Sequence, residues 1–86
     1  MPISILQAEL LELDEDTLRD VKAVHAFLKA NPDLAFTPDE VATEVHREVS
    51  YIAHVLEKFD DVYLVESGTL NDVRYFRYLK DLPDLG

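Results

Sequence analysis

The chain has no cysteine and no tryptophan, and its 86 residues include only two glycines. Without cysteine it can build neither a disulfide framework nor a thiolate metal site, so its stability must come from packing. With so little glycine there is no phosphate-cradling loop, and no serine sits in a nucleophile elbow. His25, His46 and His54 offer no i,i+4 pair and no HExxH-like spacing, and His25 reads as an ordinary side chain on its helix. Paired carboxylates such as Asp14 with Asp16, or Asp60 with Asp61, have nothing to enclose them and read as caps and turns. The chain is also too short to wrap a substrate between two lobes. We therefore expect no enzyme, no cofactor and no metal.

Positive charge is scarce as well: eight Lys and Arg face eighteen Asp and Glu, for a formal net charge of -10 and a pI near 4.4. Taken alone, this balance argues against a polyanionic partner. The amino terminus MPISILQAEL lacks the positive start of a signal peptide, and no apolar run approaches the roughly 20 residues that span a bilayer. A cytoplasmic protein with no membrane partner is the expectation. What is present is apolar material, 48% of the chain, enough for the core of one domain.

Ile3, Leu6, Leu10 and Leu13 are spaced by three, four and three residues, which aligns them along one side of a helix. Such a seam either packs back on its own domain or forms a homodimer contact. Asp14 to Thr17 offer caps and negative charge for a second helix, whose apolar face is Leu18, Val21, Val24 and Leu28 with Ala23 and Phe27, and which Asn31 and Pro32 stop. In TPDEVATEV, Thr37 fits the cap, Pro38 the first helical position and Glu40 the third, where its carboxylate can reach back to the cap amide. A longer helix is expected from about Glu48, with Val49, Ile52, Ala53, Leu56 and Phe59 turned inward. The period then becomes alternating at 62–66 and 73–79, with SGTLND as the turn of a hairpin. Ala35 and Phe36 can add a short third strand, and the tail after Lys80 is expected to fray.

This order resembles a winged helix-turn-helix domain from about Asp16 to Leu79. Ala42, Val45, Ile52, Leu56 and Phe59 match the family's spacing of a small residue in the second helix and apolar residues after it. A small side chain lets two helices cross closely while the aliphatic ones bury the faces they share. The resemblance implies an α+β fold: a winged helix with a three-helix core, a C-terminal β-hairpin and an extra N-terminal helical segment. The expected division is an apolar helical segment at 1–13, the winged helix at 14–80 and a tail at 81–86. The chain departs from the family in two places. His46 and Arg47 stand where glycine and an aliphatic residue are common, and the wing tip SGTLND carries no Lys or Arg.

Helical geometry turns Ser50, Tyr51, His54 and Lys58 away from the apolar face, with Arg47 near the start, and all five side chains can donate hydrogen bonds. The resemblance therefore implies a transcriptional regulator that reads the major groove of double-stranded DNA through the helix at about 48–59. Arg47, Ser50, Tyr51, His54, Lys58, Arg74 and Arg77 would be its DNA-binding residues. Charge is distributed unevenly in its favour: residues 1–43 hold three basic and nine acidic side chains, and residues 44–80 five and seven. Composition also resembles that of proteins from salt-accumulating archaea, with only four lysines among many aspartates. The rival reading is a winged helix used for protein contact. Its acidic face would meet a basic protein, and Tyr63, Tyr75 and Tyr78 would either form the contact or cover the core.

Overall fold

The computed structural model describes residues 5–83, with side chains from Ala8 onward. Four helices, α1 (Ile5–Leu11), α2 (Glu15–Ala30), α3 (Pro38–Val45) and α4 (Val49–Asp61), precede an antiparallel hairpin of β1 (Val65–Leu70) and β2 (Val73–Tyr78). This α+β arrangement is compatible with a winged helix. No described helix is long and apolar enough to cross a membrane.

Local chemistry sets the helix boundaries. Asp14 caps α2 by accepting from the Thr17 amide at 2.7 Å. That bond is the main reason its carboxyl titrates below the ordinary value. At the other end the Asn31 side chain donates to the Phe27 carbonyl at 3.0 Å. α3 opens on the expected capping box: Glu40 N–H donates to Thr37 Oγ1 at 3.2 Å, and Thr37 N–H donates to Glu40 Oε1 at 2.9 Å. Its other end explains the missing glycine. His46 itself adopts the left-handed conformation (φ 58°, ψ 50°), and Arg47 N–H closes on the Ala42 carbonyl at 3.1 Å.

The core gathers Val21, Val24 and Leu28 from α2, Val41 and Ala42 from α3, and Ile52, Val55, Leu56 and Phe59 from α4. Leu64, Val65 and Phe76 close it from the hairpin side. Two expectations for α4 change. Val49, the first residue of α4, is 42% exposed, and Val55 is buried in its stead, with Ala53 between the two extremes. In α2, Ala23 faces solvent and His25 takes a core position. Leu10 is buried against this core and Leu13 packs on it, so this half of the N-terminal seam folds back on its own chain. The side chains of Ile3 and Leu6 lie outside the described residues.

α4 ends in a Schellman motif. Tyr63 takes φ 62°, its N–H donates to the Asp60 carbonyl at 3.1 Å, and the Leu64 N–H reaches the Phe59 carbonyl at 2.9 Å. This turn occupies residues expected to be strand, so β1 starts at Val65 and runs through Ser67, Gly68 and Thr69. The hairpin turn is Asn71–Asp72 alone, both at positive φ (52° and 64°), as a two-residue turn of the right twist requires. The expected third strand is a single bridge: Phe36 and Phe76 exchange two N–H···O bonds of 2.8 Å.

His25 is not an ordinary helix side chain. It is 6% exposed, donates from Nε2 to the Lys80 carbonyl at 2.9 Å, and meets the rings of Phe59 and Tyr78 edge-on. Beside it Asp81 accepts from Lys29 Nζ at 2.7 Å and from the Tyr78 hydroxyl at 3.0 Å, and Leu82 packs on the core. The start of the expected tail is thus held against α2.

Candidate nucleic-acid interface

The helix-turn-helix is set by α3, the left-handed His46 and α4. Asp20 on α2 braces it from outside: one carboxylate oxygen accepts from Arg47 Nε at 3.0 Å, the other from the Tyr51 hydroxyl at 3.1 Å. Arg47 also donates to the His46 carbonyl at 2.9 Å. Partial burial, followed by the bond to Asp20, raises the pKa of the Tyr51 phenol above its ordinary value. Two of the seven sequence-nominated residues therefore clamp the angle between α2 and α4, with Tyr51 packed against the core.

The remaining α4 positions behave differently. Ser50, His54 and Lys58 are exposed along the outer side of the helix. Ser50 donates to Glu48 at 3.0 Å, a bond between neighbours on the surface. Lys58 has no carboxylate within 4.0 Å among the described residues, unlike Arg47, Arg74 and Arg77.

Arg74 lies between the hairpin and α4. Its guanidinium spans Glu57 (2.6 and 3.2 Å) and Asp60 (3.2 Å), reaches Ser67 Oγ at 3.3 Å, and stands 5.3 Å over the Phe76 ring. These contacts remove a cation from the interface and offset two carboxylates on it. All the charged groups stay partly solvated, so each pair contributes little to stability and can be exchanged. Arg77 sits on the other face of β2, opposite Glu66 across the strands at 3.8 Å. The exposed hairpin tip is Leu70, Asn71, Asp72 and Val73. The three tyrosines do not form one surface: Tyr63 is exposed in the turn after α4, Tyr75 faces outward from β2, and Tyr78 leans on His25.

Sequence reasoning missed a groove of about 470 Å³ between α1, the first turns of α2 and the flank of α4. Its α4 wall includes Tyr51, His54 and Lys58, so the groove borders the candidate interface.

No family model matches the chain, and no curated protein matches it. A solved structure named "Possible transcriptional regulator from Methanosarcina mazei Go1" superposes on 87% of this chain with a TM-score of 0.59 at 15% sequence identity. The likeness is one of fold. This chain spans 63% of that neighbour's length.

Proposed function

We propose that the chain is a DNA-binding winged helix of a transcriptional regulator, with the first turns of α4 entering the major groove. The observation that carries the reading is the helix-turn-helix itself. A boxed α3, a left-handed His46 and the Asp20 clamp hold α4 at a fixed angle, with Ser50, His54 and Lys58 outward. The fold neighbour named as a possible regulator supports the same reading. Ser50 and His54 supply groups for base edges, and Lys58 supplies a phosphate contact. Arg47, Arg74 and Arg77 join only by exchanging a carboxylate for a phosphate, so each copy contributes few cations. Binding at useful strength therefore calls for a homodimer that places two α4 helices one turn apart on the duplex. Leu10 and Leu13 are taken up by the chain's own core, so the contact in this reading uses the outer side of α1, where Leu11 is exposed.

The exposed, apolar and acidic wing tip supports a second reading, contact with a basic protein. Leu70 and Val73 flank Asn71 and Asp72 there, and the tip carries no Lys or Arg for a phosphate. One titration separates the two. Fluorescence anisotropy of random duplex DNA from low to molar salt should show binding that weakens linearly with the logarithm of salt. A folded protein with no binding at any salt would overturn the DNA reading in favour of protein contact.

A further inference from the structure

We infer that the groove between α1 and α4 is a binding site for a small hydrophobic organic cation. At about 470 Å³ it falls within the roughly 300–1,000 Å³ of small-molecule sites. Leu10 and Leu13 wall it on one side, Val21 on another, and Val55, Phe59 and Val62 on the α4 side. These groups remove an apolar body from water.

Charge selects the sign of the occupant. Glu9 on α1 and Asp61 near the end of α4 stand on opposite walls, and neither has a basic partner within 4.0 Å among the described residues. Among the described residues Lys58 is the one Lys or Arg of the lining, so there the carboxylates outnumber it. The chain's net charge of -10 adds a field that draws cations in and turns anions away. Tyr51 and Phe59 add aromatic rings to the lining, the side-chain type that attracts a soft cation where a face is reached. A hydrophobic ammonium or phosphonium ion satisfies these features together; an amphipathic anion meets Lys58 and the neutral donors Thr17, Tyr51 and His54, but must also face Glu9 and Asp61.

The site needs no DNA, so it stands or falls apart from the proposed function. Only the link between them rests on that reading: His54 and Lys58 line the groove as well as the outer side of α4.

Tetraphenylphosphonium and tetraphenylborate share shape and size and differ in sign. Isothermal titration of each into the full chain, in sodium chloride and without DNA, tests the assignment directly. The cation should bind saturably, one per chain, at least tenfold tighter than the anion. Glu9→Gln and Asp61→Asn, both at exposed positions, should each weaken the cation by about two- to fivefold, the range of a partly solvated ion pair. Leu13→Trp, which fills the groove, should abolish binding, with circular dichroism confirming the fold. Equal affinity for both ions, tighter binding of the anion, no saturation, or carboxylate variants that bind like the original chain would each overturn the proposal.

Discussion

Tyr63 is a bulky residue held in the left-handed region at φ 62°, and replacing it with glycine should stabilise the protein. For a residue with a Cβ this conformation costs about 1–2 kcal/mol, and the Schellman bonds from Tyr63 to Asp60 and from Leu64 to Phe59 hold it there. Little packing is lost with the ring, which is 70% exposed. Glycine also widens the unfolded ensemble, an opposing effect of about 0.4–1 kcal/mol. The net gain for Tyr63→Gly is thus about 0–1.6 kcal/mol, centred near 0.8 kcal/mol, or roughly 3–6 °C in Tm at that centre for a domain of this size. Urea unfolding followed by far-ultraviolet circular dichroism, with an unchanged denaturant slope, measures it. Tyr63→Ala is the control, since it deletes the ring and keeps the Cβ. If glycine proves no more stable than alanine, backbone strain at this turn is not the cause and the reasoning fails.

Four further outcomes follow. Thr37→Ala removes the hydroxyl that accepts from the Glu40 amide, leaving the backbone half of the capping box, and should lower stability by about 1 kcal/mol in the same assay; no change would show that α3 does not need that acceptor. Phe76→Ala empties the site of a fully buried ring and should lose about 3–5 kcal/mol, unfolding much of the population at 25 °C by circular dichroism. Lys58→Ala should weaken binding to all DNA sequences alike and reduce the salt slope by about one, with an unchanged slope ruling out that phosphate contact. Asp81 titrates below 3.8 because Lys29, and then Tyr78, stabilise its charged form. Its contribution is present above pH 3.8 and is lost as pH falls through the lower folded-state value, so the Tm gap between the protein and Asp81→Asn should close in acid. A gap that persists at the lowest pH would exclude that carboxylate as its source.

Most of the α-helical framework was legible because its signals are local. Thr37, Pro38 and Glu40 specify the start of α3 within one turn, and Asp14 and Asn31 bound α2 in the same way. The hairpin was legible as a hairpin but its register was not. Ser67, Gly68 and Thr69 have turn chemistry, and they pair as strand because β2 and the two-residue turn at Asn71–Asp72 impose it. Tyr63, in a run of β-formers, ends a helix through backbone bonds to Asp60 and Phe59 that no propensity records. The candidate interface was legible only as a helical face. What its members touch depends on contacts between distant residues, Asp20 with Arg47 and Tyr51, and Glu57 with Arg74. The groove depends on α1 lying beside α4, which periodicity in either helix cannot express.

The bridge between Phe36 and Phe76 has a consequence for folding, because it is a long-range contact. Each helix and the hairpin can form from near neighbours on the microsecond scale, but this bridge joins residues 40 positions apart (76 - 36). Closing so long a segment is unfavourable until both rings are desolvated, so the loop between α2 and α3 and the second strand must meet late. The hairpin then exists first as a free two-stranded ribbon, marginal in water, with the edge of β2 open to any extended segment. Capture of that edge by Phe36 closes it and ties the hairpin to the segment between α2 and α3.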